Sequence, residues 1–195
     1  MSLYDQNGHR KYLTPAERET FLKAADDAER EVRTFCATLA DTGCRISEAL
    51  ALTADRVDLK DGTLIFESLK KRRAGVYRPV PVPPSLIDAM NMVHDIRAAQ
   101  KRRDRGRAVR LWPCALNTAW RHVGAVMKAA RINGPHATPK GLRHGFGIKA
   151  ITSGVPLNTL QQLLGHAQLS TTSIYADAMG PEKRQLVERM WGVIQ

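Results

Sequence analysis

The sequence holds no apolar run near the ~20 residues that cross a bilayer, and Met1-Ser2-Leu3-Tyr4-Asp5 lacks the features of a secretory signal. No membrane partner is expected. Cysteine is scarce: Cys36, Cys44 and Cys114 are odd in number and lack the paired spacing of metal ligands. That argues against a disulfide framework and points to a reducing, cytoplasmic setting. Cys36 sits among apolar residues and reads as core. No internal repeat is visible. Acidic residues are short as well: 19 Asp and Glu against 30 Lys and Arg leave a formal charge of +11. Such an excess favours polyanionic partners, because each phosphate contacted releases condensed counterions. On charge alone, an acidic lipid surface or an ordinary basic surface remains an alternative.

What is present suits one soluble domain of 195 residues with 43% hydrophobic residues. A chain this long buries roughly two-thirds or more of its unfolded surface, so neither metal nor disulfide is needed to fold it. Residues 1–12 are polar and read as a loose lead-in, followed by a domain over 13–180. Thr14-Pro15-Ala16-Glu17 marks a helix start, with Thr14 capping, Pro15 in the first turn and Glu17 closing a capping box. A second helix should bury Val32, Phe35, Cys36 and Leu39 and end at Gly43. Ser47 would cap a short helix through Leu50. Thr63-Leu64-Ile65-Phe66 and Tyr77 to Val82 read as strands, the second an edge strand because of Pro79 and Pro81. Helices are expected over about 84–100, 116–131, 140–152, 156–164, 171–178 and 181–191. The class is therefore mainly α with a small antiparallel sheet. Lys101 to Arg107 reads as an exposed basic loop, with DNA backbone contact as a second use.

Three segments carry candidate chemistry: Thr42-Gly43-Cys44-Arg45-Ile46-Ser47-Glu48, Lys140-Gly141-Leu142-Arg143-His144, and Gly165-His166 with Ser170-Thr171-Thr172-Ser173-Ile174-Tyr175. Singly, each has a plain reading. Arg45 pairs with Glu48 across a turn, Arg143 is a surface residue, His166 caps a helix and Tyr175 is half-buried packing. Together and in this order, they resemble the tyrosine recombinase, or phage integrase, family. That family carries an arginine in Thr-Gly-x-Arg-x-Ser-Glu, a lysine in a β-hairpin turn, a His-x-x-Arg, and a Gly-His followed nine residues later by tyrosine. The resemblance runs from about Leu13 to Tyr175.

The resemblance implies a catalytic domain that cuts and rejoins double-stranded DNA through a 3′-phosphotyrosyl bond, leaving a free 5′-hydroxyl. It implies neither ATP, metal nor another cofactor, and no small-molecule substrate. Arg45 and Arg143 would bind the non-bridging oxygens through fork-shaped hydrogen bonds. His166 would add a donor in the transition state. Tyr175 would be the nucleophile, its phenolate favoured or its proton accepted through the two arginines and a nearby histidine. Lys70 is the expected general acid for the departing oxygen, with Lys71 as competitor; two solvated lysines are the plain reading of both. Glu48 would orient Arg45. Lys140 stands where the family usually has histidine, so reduced or pH-shifted cleavage is expected; spacing favours neither His136 nor His144 as its replacement. A zinc site is not expected from His136, His144 and His166.

Family members usually carry an N-terminal DNA-clamping domain; this sequence begins almost at the catalytic region, so it is expected to be either a fragment of a longer protein or naturally short, and a lone domain should bind DNA weakly and salt-sensitively. Residues 181–195 form an expected helix with Leu186, Val187, Met190, Trp191 and Ile194 on one stripe. It packs in cis or is exchanged between protomers on DNA. A topoisomerase-like activity and a non-catalytic DNA-binding regulator are the competing functions.

Overall fold

The computed structural model describes residues 2–68, 75–102, 108–176 and, further on, Arg184, Val187, Glu188 and Trp191. Helix α1 (Pro15–Asp26) opens with the expected capping box. The Thr14 hydroxyl accepts from the Glu17 N–H at 3.3 Å, while the Glu17 carboxylate accepts from the Thr14 N–H at 3.0 Å. Helix α2 (Arg30–Thr42) buries Phe35, Cys36 and Leu39 and stops at Gly43, whose φ of 58° suits a residue without a side chain. Helix α3 (Ile46–Leu50) starts two residues earlier than expected. Its cap is Arg45 rather than Ser47, because the Glu48 carboxylate reaches back to the Arg45 N–H at 2.9 Å.

Strands β1 (Val57–Asp58), β2 (Thr63–Glu67) and β3 (Tyr77–Pro81) form an antiparallel sheet in the order β1-β2-β3. The proline-containing β3 lies at its edge, with Val80 opposite Leu64 and Arg78 opposite Phe66. The two-residue β1 was too short for its sequence to mark. The single helix expected over 84–100 is two: α4 (Pro84–His94) and α5 (Ile96–Lys101), broken at Asp95 with φ of 48°. The break sends Ile96 fully into the core, and the Asn91 side chain accepts the freed Arg97 N–H at 3.0 Å.

Helices α6 (Leu116–Ala129), α7 (Pro139–Thr152) and α8 (Leu157–Leu164) follow near their expected bounds. Glycines give α7 its close packing. A Cβ at Gly141 would meet the His136 carbonyl oxygen at 1.8 Å, and one at Gly145 the Leu13 carbonyl oxygen at 2.7 Å. Of the helix expected over 171–178, the described residues, up to Ala176, instead follow two short 3-10 turns, Leu169–Thr171 and Ser173–Tyr175. Here the Ser173 hydroxyl donates to the Ser170 carbonyl at 2.9 Å, one of the local bonds with which such side chains compete against helix. Residues 177–183, the start of the expected C-terminal helix, lie outside the described residues, as do 103–107 of the basic loop.

Most buried side chains form one core shared by α1, α2, α4, α6 and the sheet. A second cluster joins Ile148 and Ala150 of α7 with Leu160 and Leu164 of α8, Ile174, Tyr175, Leu3 and Tyr12. The lead-in is therefore not loose. Tyr4 bridges Arg10, Leu3 and Tyr12 are buried, and Arg10 pairs with Glu17. No helix among the described residues is long and apolar enough to cross a membrane.

Candidate active site

The backbone turn at Gly43 and the start of α3 put Arg45 at the edge of a cleft of about 440 Å³. Lys140, Arg143, His144, His166 and Tyr175 line the same cleft, with Cys44, Ile46 and Trp120 among its apolar walls. Four segments far apart in sequence thus converge on one concavity. Lys70 and Lys71 lie outside the described residues.

The two arginines and Glu48 are anchored. Arg45 Nη1 donates to Glu48 Oε1 at 2.7 Å, and Arg78 Nη2 donates to Glu48 Oε2 at 2.6 Å. Glu48 is wholly buried. Burial alone would push its carboxyl up, but Arg78 and the Arg45 contacts hold it below the usual carboxylate value. Arg143 donates from Nη1 to the Gly43 carbonyl at 2.6 Å and from Nη2 to the Leu164 carbonyl at 2.8 Å. It is 8% exposed, not a surface residue. Burial first, then the charge of Arg45, lowers it to about 10, which still leaves it charged at neutral pH. Lys140 is exposed at the cleft.

His166 follows Gly165, the left-handed residue that ends α8. Its Nδ1 lies 2.9 Å from the hydroxyl of the buried Thr172. Burial, then Arg143 and Arg45, push its pKa down to about 4, so the ring is neutral. Tyr175 is 0% exposed, and its hydroxyl is hydrogen-bonded to Nδ1 of His144 at 3.0 Å. Its ring lies flush against Gly147, where a Cβ would come within 2.4 Å of Cε1. Burial raises the phenol to about 12 against the pull of Arg143 and Arg45.

One expectation changes here. The arginines pull towards a phenolate, but in the free protein desolvation outweighs them. The histidine against the phenol, left unnamed by the sequence, is His144. His144 is itself held at about 4 by burial and then by Lys140 and Arg143, and its Nε2 is buried with no partner among the described residues. His136 is elsewhere, 3.3 Å from Glu17.

Sequence reasoning also missed Arg78 and Trp120. Arg78 alternates with the prolines of an edge strand, the position of a core-facing side chain, and that was the available signal. Trp120 carried none beyond its residue type; it is 42% exposed on α6. Among the described residues no cluster of three or more His, Cys, Asp or Glu could hold a metal ion.

The sequence pattern of the phage integrase family matches residues 11–180. The chain belongs to that family. It is 30% identical over 190 residues to a protein named resolvase from Escherichia coli (strain K12), covering 85% of this chain and 70% of that one. It is 29% identical over 192 residues to tyrosine recombinase XerA of Thermococcus kodakarensis, covering 93% of this chain and 65% of that one. The crystal structure of a XerA recombinase superposes with a TM-score of 0.75 at 26% identity, over 92% of this chain and 64% of that one. The chain thus spans roughly two-thirds of the length of these relatives.

Proposed function

We propose that this chain is the strand-transfer domain of a site-specific DNA recombinase, with Tyr175 as nucleophile. One observation carries the reading: Arg45, Arg143, His166 and Tyr175, drawn from separate segments, face a single cleft large enough for a phosphodiester and its neighbours.

In this reading the scissile phosphate of double-stranded DNA enters between Arg45 and Arg143. Both guanidiniums are fixed by buried carboxylate or carbonyl partners before substrate arrives, so little reorganisation opposes charge build-up on the non-bridging oxygens. When the Thr172 hydroxyl donates to Nδ1 of His166, the imidazole proton sits on Nε2, free to donate to the same phosphate. Lys140 contributes a point charge where an imidazole would also shuttle protons. The Tyr175 oxygen forms the bond to phosphorus as the bond to the 5′-oxygen breaks, and the phenol proton passes to Nδ1 of His144, 3.0 Å away. Lys70, or Lys71, protonates the leaving oxygen. Attack by another 5′-hydroxyl reverses the sequence, and the number of phosphoester bonds is unchanged. Residues after Gly180 would dock on their own domain or a neighbouring protomer.

The test is a nicked suicide duplex, followed by denaturing electrophoresis. Wild type should give a covalent protein–DNA band, and Tyr175→Phe none. A band of equal intensity in the mutant overturns the assignment; no band with either protein returns the chain to the DNA-binding class.

A further inference from the structure

We infer that Arg78 is a positioning residue for Arg45, acting through Glu48. The inference rests on the strand-transfer reading and adds to it a residue that never meets substrate.

Arg78 projects inward from β3, with its side chain 8% exposed, onto a carboxylate that is 0% exposed. The two oxygens of Glu48 are divided between two guanidiniums. Oε2 takes Arg78 Nη2 at 2.6 Å together with the Arg45 backbone N–H at 2.9 Å, and Oε1 takes Arg45 Nη1 at 2.7 Å. The division fixes the plane of the carboxylate and so the direction in which Arg45 presents its remaining N–H groups to the cleft. Without Arg78, both oxygens would be open to Arg45, and the buried carboxylate would lose the cation that keeps it charged.

Arg78 is itself immobilised. Its Nε donates to the Leu163 carbonyl at 2.9 Å, and its guanidinium carbon lies 5.3 Å from the centre of the Phe66 ring. Its Nη1 is buried without a partner among the described residues, packed where a Cβ on Gly165 would approach to 3.0 Å. Arg143 holds the next carbonyl, that of Leu164, at 2.8 Å. The two guanidiniums therefore share the end of α8. A buried Arg–Glu–Arg group is a poor source of stability compared with apolar packing of similar volume. Its cost is accounted for by what it orients. Lysine cannot reproduce it, since one ammonium lacks the rigid fork that spans carboxylate and carbonyl together.

The test is a double-mutant cycle on single-turnover formation of the covalent band, well below the melting temperature. Arg78→Gln should slow the step by ~10- to 100-fold, by analogy with the range for groups that orient metal-ligating side chains, with duplex affinity little changed. Arg78→Lys should recover part of the rate. In an Arg45→Ala background the further loss should be under about threefold, because residues acting as one unit are not additive. Equal losses in both backgrounds would overturn the inference, as would a wild-type rate in Arg78→Gln. A second arm needs no catalysis: ¹⁵N relaxation of the Arg45 Nε–H should show an ordered side chain in wild type, a mobile one in Arg78→Gln and an intermediate one in Arg78→Lys. If wild type forms no covalent band, the strand-transfer reading fails by itself, and this arm still decides the positioning role; an Arg45 equally ordered in all three proteins refutes it.

Discussion

Replacing Gly147 with alanine adds one methyl group beneath the Tyr175 ring, at 2.4 Å from Cε1, 2.5 Å from Cζ and 2.7 Å from Cδ1. Carbon atoms rest ~3.5–4.0 Å apart, so the ring must withdraw by about 1 Å or more. A fully buried ring has little room for that, and the hydroxyl loses its register with His144. Overpacking of this kind costs about 1–3 kcal/mol. Alanine also gains about 1 kcal/mol over glycine inside a helix, which would mask part of the loss. Gly124 supplies the control: it lies inside α6 with nothing within 4 Å of its would-be Cβ. Gly124→Ala should collect the helix gain alone. The difference between the two variants then isolates the overpacking, and for a chain of this size it corresponds to a gap in Tm of roughly 2–12 °C. Calorimetry measures that gap. In parallel, Tyr175 should be nitrated faster in Gly147→Ala, and covalent band formation should fall. Equal melting temperatures for the two variants, with Tyr175 equally protected, would show that the phenol is not seated against α7.

Acid should weaken the fold in a defined window. His144 and His166 are held at about 4 when folded, against an ordinary 6.5, so the unfolded chain binds their protons first. Stability is full above about pH 6.5 and is lost as pH falls towards 4, on the order of 2 kcal/mol for each ring. Melting curves from pH 7.5 to 4.5 should show the fall, and His144→Asn should flatten it; a flat wild-type profile would contradict the burial of both rings. Lys140→His should give cleavage a new pH dependence near 6.5, where the lysine enzyme is flat, and an identical pH–rate profile would mean that this position does not face the reacting phosphate. Trp120, on the rim of the cleft, should have its fluorescence quenched by bound duplex, with the change absent in Trp120→Phe; quenching that persists undiminished in that variant would place DNA elsewhere.

The sequence was most legible where local rules decide structure. Thr14 and Glu17 form their capping box, Gly43 ends α2, and Pro79 and Pro81 sit on an edge strand, because each depends on backbone chemistry within a few residues. Expectations failed where long-range packing decides. No local signal announced that Asp95 would adopt a left-handed backbone; burial of Ile96 requires it. Residues 171–175 have composition compatible with a helix, yet Thr172 is turned to His166, and tighter turns result. Leu3 and Tyr12 looked peripheral because their partners, Ile148 and Leu160, lie far along the chain. The site divides the same way. Motif order singled out Arg45, Arg143, His166 and Tyr175, which line one cleft, whereas Arg78 meets Glu48 and His144 meets Tyr175 across 30 and 31 residues of sequence, which no spacing rule encodes.

The electrostatics of the free cleft bear on how it can be both stable and reactive. Arg143, His144 and His166 are each lowered by burial and by the other cations, while burial keeps the Tyr175 phenol protonated. Each of these shifts has a Coulombic part, to which a bound anion would add a term favouring the protonated form, beside a part due to desolvation. A phosphate seated between Arg45 and Arg143 would offset the repulsion felt by the imidazoles and so make them better proton acceptors. It would oppose a phenolate until the bond to phosphorus begins to form. In the proposed reading, attack and proton loss from Tyr175 are therefore coupled: the unoccupied cleft holds a neutral phenol hydrogen-bonded to His144, and a bound phosphate would supply the charge that alters its neighbours.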